Sequence, residues 1–147
     1  MKALETSLQM DKDASVAQRA VGKIHLLKGE YARVIELAHE HFSNSKEIDL
    51  FWASMLATAY YKTGRSDKAL EMQDYLKKLA AKDSKALYFL VMHYSELGRT
   101  DEAIAALQKC LELREDRMVW TKDEPRFAGL KNDPRFQAIL RTMNLPA

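Results

Sequence analysis

The stretch ALYFLVMHYSELGRTDEAIAALQKCLEL, residues 86–113, contains the pattern that decides the fold. Its apolar residues recur at helical spacing on both sides of Gly98, which divides it into two segments of about a dozen residues each. A glycine suits the turn between two helices because the residue that ends a helix often has a positive φ, where a Cβ is penalised. Thr100 and Asp101 come next and are predicted to cap the second helix. The stretch is therefore predicted to form a helical hairpin.

The same hairpin pattern recurs at a regular interval along the chain. Gly29, Gly64 and Gly98 lie 35 and then 34 residues apart, and each divides two segments with helical apolar spacing. Ser66 and Asp67 follow the second glycine and are predicted to cap the next helix. A period of this length is typical of solenoids that stack helical hairpins, and no segment shows the alternation of a strand.

The residues around each glycine share a packing role. Four positions before the glycine lies a ring, while the residues seven before and five after it are mostly small. Small residues on facing helices let the two axes approach closely, and the ring fills the space beside them. In chain order the rings are His25, Tyr60 and Tyr94, and the small positions hold Gly22, Ala57, Val91, Val34, Ala69 and Ala103.

These positions resemble the pattern of the tetratricopeptide repeat family, whose helix pairs recur about every 34 residues. The third repeat matches best, the second departs from the pattern at Gln73 and Leu76, and the first departs at His25, Val34 and His41. The proline that usually closes each repeat is absent from all three. The resemblance implies an all-α, right-handed helical-hairpin solenoid with about three repeats, followed by C-terminal capping helices.

We expect one domain over 1–147. Its opening, KALETSLQMDKD, aligns with the second helix of a further repeat, so 1–12 is interpreted as the remnant of a longer array that leaves Leu4 and Leu8 exposed. The other predicted parts are repeat one at 13–46, repeat two at 47–81, repeat three at 82–115 and a C-terminal cap at 116–147.

The C-terminal cap contains a repeated segment, DEPRFAGLKNDPRF, at 123–136. Asp133 before Pro134 predicts a helix start, because aspartate caps the first turn and proline has no amide proton to lose there. Glu124 before Pro125 predicts a similar turn. The apolar residues predicted to point inward are Phe127 and Leu130 after the first proline, and Phe136, Ile139, Leu140 and Met143 after the second.

The C-terminal cap also resembles the ending of tetratricopeptide regions in bacterial signalling proteins that carry kinase, nucleotide cyclase or DNA-binding regulator domains. The resemblance lies in Val119-Trp120, the two Pro-Arg-Phe segments and Leu145-Pro146. It implies that the segments close the solenoid, and the alternative is a surface that contacts a partner.

Composition and motifs argue against several classes of function. A net charge of +2 is too small to indicate nucleic acid, and the basic cluster Lys77, Lys78, Lys82 and Lys85 is interpreted as a solvated surface. The single cysteine, Cys110, is expected to be buried, and it fits a reducing, cytoplasmic environment. No phosphate loop or HExxH motif occurs. His39 and His41 are interpreted as solvent-facing or edge-of-core residues, and His93 as a packing or surface residue. We therefore expect no catalytic activity, cofactor, metal site, nucleic-acid contact or membrane contact.

The resemblance implies instead a groove, lined by the first helix of each pair, that binds a partner peptide or helix. Aromatic and basic groups there would suit an acidic-hydrophobic segment, although the tyrosines could pack between repeats and the lysines could simply be solvated. The expected function is a protein-interaction module of a bacterial signalling or transcriptional regulator. The alternative is structural self-assembly as a homodimer, and a groove that senses a small molecule is a third possibility. The groove positions are Arg19, Lys23, Leu26, Phe51, Ser54, Thr58, Tyr61, Lys62, Lys85, Tyr88, Met92 and Glu96.

Overall fold

A computed structural model of the chain describes residues 2–43 and 49–143, with side chains placed for 15–42 and 49–143. Across these ranges the chain forms helices and turns without a strand. The elements are α1 (Lys2–Leu27), α2 (Tyr31–Ser43), α3 (Leu50–Lys62), α4 (Ser66–Ala80), α5 (Ser84–Glu96), α6 (Thr100–Glu112), the 3-10 helices η1 (Asp116–Asp123) and η2 (Pro125–Leu130), and α7 (Pro134–Thr142).

Consecutive helices pack as hairpins, α1 with α2, α3 with α4 and α5 with α6. The first helices of the three hairpins also pack on one another, since α3 contacts both α1 and α5. Each hairpin therefore buries its apolar face against the next, as in a solenoid. The all-α solenoid predicted from the sequence is confirmed.

Each hairpin turn is built around one of the three spaced glycines. Gly64 has a φ of 80° and Gly98 a φ of 75°, in the left-handed region that glycine adopts without penalty. The next residue, Arg65 or Arg99, donates its amide proton back to Tyr60 or Tyr94, so both turns have the hydrogen bonds of a Schellman motif.

The predicted helix caps at two of these turns are wrong. Arg65 and Arg99 occupy the cap positions and make no side-chain cap bond, while Ser66 and Thr100 are already the first helical residues. The reason is that each arginine completes the preceding Schellman motif and is followed at once by the next helix. Asp67 and Asp101 then lie in the first turns, where a negative charge favours the helix dipole.

The first helix is longer than the sequence predicted. α1 runs without a break from Lys2 to Leu27, so the predicted division between 1–12 and 13–46 does not coincide with a helix end. The exposed face expected at Leu4 and Leu8 lies outside the described side chains. In the described part of α1, Gly22 is buried, and the indole of Trp52 on α3 lies beside it.

The C-terminal cap follows the sequence prediction in the part that the structure describes. Asp133 and Glu124 each accept a hydrogen bond from the amide two residues on, and a proline opens each helix. All the apolar residues predicted to point inward are buried except Met143, which is partly buried against the same core. The rings of Phe127 and Phe136 meet edge to face at 6.3 Å, so the two repeated segments share one core.

Candidate functional site

The first helices α1, α3 and α5 form one continuous surface, which we call the inner face, and η2 lies against it. Three side-chain contacts join the inner face to η2 and to its N-cap residue Glu124. Glu124 pairs with Lys23 on α1, and Arg126 binds Ser54 on α3 and Glu96 on α5. These contacts come from all three hairpins. The groove expected from the sequence is therefore partly occupied by the chain's own C-terminal cap.

Arg126 is the centre of this contact. Its side chain has no exposed surface, and its guanidinium makes two hydrogen bonds to Glu96, from Nε at 3.0 Å and from Nη2 at 2.5 Å. A third bond, from Nη1, reaches the hydroxyl of Ser54 at 2.7 Å. A planar guanidinium that binds a carboxylate through two nitrogens has a geometry that a lysine cannot reproduce.

A buried polar network supports Glu96 from the opposite side. The hydroxyl of Thr58 donates to Glu96 Oε1 at 3.0 Å and lies 2.9 Å from Nδ1 of His93. Since the single proton of Thr58 goes to the carboxylate, His93 must donate through Nδ1, which fixes its neutral tautomer. Burial, followed by the nearby charge of Arg126, lowers the pKa of His93 to about 3. His93 is thus a packing residue, as predicted, with a positioning role toward Glu96.

Aromatic side chains flank the arginine site. The ring of Phe127 meets that of Tyr88 edge to face at 5.3 Å, and the phenol of Tyr88 hydrogen-bonds Thr121 on η1 at 3.2 Å. Burial raises the pKa of Tyr88 above its ordinary value, so its hydroxyl remains protonated. This tyrosine therefore packs against the C-terminal cap, and not only between repeats.

Beside η2, the inner face remains open as a cleft of about 580 Å³. Trp120, which is 67% exposed, stands at its edge, and the adjacent Val119 is similarly exposed but does not line it. The cleft thus combines an exposed indole with apolar and aromatic side chains and four charged groups. Its lining residues are Arg19, Asp49, Leu50, Phe51, Tyr88, Phe89, Met92, Arg117, Trp120 and Glu124.

The charged groups of the cleft are already paired. Arg19 pairs with Asp49, Glu124 with Lys23, and Arg117 with the buried Glu115. The guanidinium of Arg117 also lies 5.3 Å from the centre of the Phe89 ring. The open surface therefore offers apolar contact more than unpaired charge.

The structure divides the twelve predicted groove residues into four groups, with Tyr88 belonging to two of them. Lys23, Ser54, Thr58, Tyr88 and Glu96 hold the C-terminal cap directly or through one hydrogen bond. Arg19, Phe51 and Met92 line the open cleft together with Tyr88, whereas Leu26 is buried. Tyr61, Lys62 and Lys85 are exposed and do not line the cleft.

The most important site residue that sequence reasoning missed is Arg126. The repeated Pro-Arg-Phe attracted attention to it, but Arg135 occupies the same place in the second copy and is exposed, paired with Asp133 and Asp101. No local pattern distinguishes the two arginines. The sequence points to Trp120 only as part of the family ending. It contains no pattern that predicts the exposure of this indole.

Other chemistry finds little support in the described side chains. They contain no group of three or more histidine, cysteine, aspartate or glutamate residues arranged to hold a metal ion. Cys110 is buried, as predicted, and burial with the nearby charge of Glu115 raises the pKa of its thiol to about 12. His39 is exposed and His41 stacks on Trp52 with ring centres 5.5 Å apart, which fits the predicted solvent-facing and edge-of-core positions. None of the helices described is long and apolar enough to cross a membrane.

Comparison with known proteins agrees with this architecture. Residues 84–117 match the family model of the tetratricopeptide repeat, over α5, α6 and the start of η1. A search of curated proteins found no match, and a search of solved structures found none either. The matched repeat and the stacked hairpins are together consistent with a tetratricopeptide-like solenoid. Such repeats are generally protein–protein interaction modules, and their stacking creates extended binding surfaces.

Proposed function

We propose that the chain is a non-catalytic protein-interaction module and that the open cleft beside η2 binds a peptide or helix of its partner. The observation that carries this proposal is the exposed indole of Trp120 at the edge of a cleft lined by Phe51, Phe89 and Met92. Exposed tryptophans are costly in water and are enriched among the residues that dominate binding energy. An apolar or aromatic side chain of the partner would enter between them.

The acidic part of the expected partner has weaker support. Arg19 and Arg117 line the cleft, but each already has a carboxylate partner. An acidic segment would have to exchange with these carboxylates. We therefore define the partner by its apolar anchor. Pairs of peptides that differ only in one acidic residue test whether the partner is also acidic.

The cellular setting we propose is a cytoplasmic bacterial signalling or transcriptional regulator. Its support is the resemblance of the chain's ending, with Val119-Trp120 and the two Pro-Arg-Phe segments in order. Binding at the cleft would then dock the attached domain onto its partner.

The experiment uses random peptides displayed on phage, selected against the full chain, with selected sequences resynthesised and titrated. Trp52 is buried and Trp120 exposed, so a blue shift of the tryptophan emission on binding would report the cleft. The Trp120→Ala variant should weaken binding at least about tenfold, because a tryptophan anchor typically contributes that much. The matched control is Val119→Ala, which removes a neighbouring exposed side chain that does not line the cleft. Equal binding by wild type and Trp120→Ala would refute the cleft as the site.

A second candidate function is self-assembly, which a different observation supports. The apolar side chains of Val16, Val21, Ile24 and Leu27 on α1 are each about half exposed. Such a surface is covered in many proteins by a second copy. If it forms a homodimer, Ile24→Glu should produce monomers in analytical ultracentrifugation, whereas Gln18→Glu should not, since Gln18 faces α2 through its hydrogen bond to His41. A wild-type chain that sediments as a monomer at all concentrations would exclude this alternative.

A further inference from the structure

The inner face holds the C-terminal cap through residues that the sequence pattern assigned to a partner. We propose that this surface is a recognition site for an arginine followed by an aromatic residue, that η2 occupies it within the same chain, and that a partner segment carrying the same Arg-aromatic pair binds there when η2 is released. This inference rests on the proposed function, because it specifies a chemistry for the partner of the inner face.

The first argument is the selectivity of the site. Glu96 receives two nitrogens of Arg126 and Ser54 receives the third, so all three nitrogens of the guanidinium have a partner. The paired carboxylate is itself largely buried. Lysine would leave at least one of these acceptors without a donor, and a buried acceptor without a donor is unfavourable.

The second argument is that the site is preorganised without the arginine. Ser54 donates to the carbonyl of Phe51 in its own helix, and Thr58 holds Glu96 while it is bound in turn to His93. All these contacts lie within α3 and α5. Release of η2 would therefore leave a carboxylate held in position on the inner face, with its arginine partner gone.

The third argument comes from the two repeated segments. Both prolines start a helix and both phenylalanines are buried, but only Arg126 is buried, while Arg135 lies at the surface. A segment that only closes the solenoid needs the proline and the phenylalanine. Burying an ion pair rarely adds stability over an apolar contact of the same size, and we attribute this pair to specificity. The buried pair is thus a feature that closing the solenoid does not require.

The fourth argument concerns release. η1 and η2 are 3-10 helices, whose hydrogen-bond geometry is poorer than that of an α-helix. Along η1 only Met118 and Thr121 are buried, and Val119 and Trp120 face solvent. η1 therefore has few buried side chains, whereas Arg126, Phe127 and Leu130 of η2 are buried, so opening of the segment 116–130 should begin at η1.

The experiment asks whether the site binds its own sequence supplied separately. A fluorescein-labelled peptide with the sequence of residues 123–131, DEPRFAGLK, is titrated by anisotropy against the full chain and against the double variant Arg126→Ala/Phe127→Ala. The variant should bind at least about tenfold more tightly, because in wild type only the fraction of molecules with η2 released can bind. The same peptide with lysine in place of arginine should bind at least about tenfold more weakly than the original.

Two further variants control the location. Adding Glu96→Gln to the double variant should abolish the preference for arginine over lysine, since the bidentate acceptor is lost. Adding Trp120→Ala should leave that preference unchanged, because Trp120 belongs to the cleft and not to the arginine site. Failure of this proposal is therefore distinguishable from failure of the cleft. A folded double variant that binds both peptides equally, or neither, would overturn the arginine site.

A hydrogen-exchange measurement on the wild-type chain decides the question if the double variant does not fold. Excess DEPRFAGLK peptide should accelerate exchange of the amides in 116–130, because it holds the site against re-closure, while α3 and α5 stay protected. The lysine peptide should have no such effect. Unchanged exchange in 116–130 with the arginine peptide would overturn the proposal.

Discussion

At the scale of single residues, the packing of α1 against Trp52 of α3 depends on the absence of a side chain at Gly22. A Cβ added to Gly22 would lie 2.6 Å from Cη2 and 2.8 Å from Cζ3 of Trp52. The indole is fully buried, so it has no room to move away. This explains why a glycine, which is a poor helix former, occupies the interior of a long helix.

We expect Gly22→Ala to lower the free energy of unfolding by about 1 kcal/mol, because overpacking costs about 1–3 kcal/mol and the better helix propensity of alanine returns about 1. Urea denaturation followed by circular dichroism measures the change. Ala20→Gly, at an exposed site on the same helix, calibrates the propensity. A Gly22→Ala chain that is more stable than wild type would show that the Trp52 side chain can shift to accommodate the added methyl group.

Burial of single residues was predictable from the sequence, whereas the contacts of Arg126 were not. Burial of Cys110 and of both phenylalanines of the repeated segment followed from helical spacing, which is a local property. The contact between Arg126 and Ser54 joins residues 72 positions apart. Such a contact depends on how three hairpins and the C-terminal cap come together, and neither residue has neighbours that specify it.

At the scale of elements, the two described turns with arginine after glycine have nearly the same geometry. Gly64 and Gly98 have φ values of 80° and 75°, and neither would place a Cβ within 4 Å of another atom. A residue with a Cβ at either position would therefore be strained by the positive φ but would not clash with a neighbouring atom. The regular spacing of the glycines predicts these turns correctly, because glycine is favoured wherever a turn requires a positive φ.

Gly98→Ala and Gly64→Ala should each lower the free energy of unfolding by about 1–2 kcal/mol, the cost of a left-handed conformation for a residue with a Cβ. Thermal melts of the two variants should agree within a few tenths of a kcal/mol, because the turns are equivalent and lie in open space. A much larger effect at one glycine would mean that its turn has contacts beyond the backbone.

Helix starts were less predictable than helix ends. The Asp-Pro and Glu-Pro starts in the C-terminal cap are as predicted, because each acidic residue directly precedes the proline that opens a helix. Neither acidic residue is needed by a preceding glycine turn. At Ser66 and Thr100 the preceding turn had already assigned the cap position to an arginine. The glycine turn and the Ser or Thr cap were alternative signals there, and the turn determined where the helix begins.

At the scale of the whole molecule, stability should depend on pH through His93. Its folded pKa of about 3 lies below that of an unfolded histidine, so between these values the unfolded chain binds a proton that the folded chain excludes. Folding is therefore destabilised as the pH falls below about 6.5, by about 1.4 kcal/mol for each unit until the folded pKa is reached. Stability is retained at neutral and higher pH.

The variant His93→Asn retains a polar group near the position of Nδ1 and cannot become protonated. Its free energy of unfolding should fall by about 2 kcal/mol less than that of wild type between pH 7 and pH 5, measured by urea titration at both values. His39→Gln, on the exposed side of α2, is the histidine control. If wild type and His93→Asn lose equal stability, the imidazole does not stay neutral in the folded chain.

The three contacts of η2 also have a mechanical consequence. A solenoid whose repeats touch only their neighbours can bend and stretch like a spring. Here Glu124 and Arg126, two residues apart, are tied to Lys23, Ser54 and Glu96, one on each successive first helix. Because this short bridge spans all three hairpins, we expect it to resist changes in the curvature of the stack. Force applied along the stack would then be carried first by two ion pairs and only afterwards by the contacts between helices.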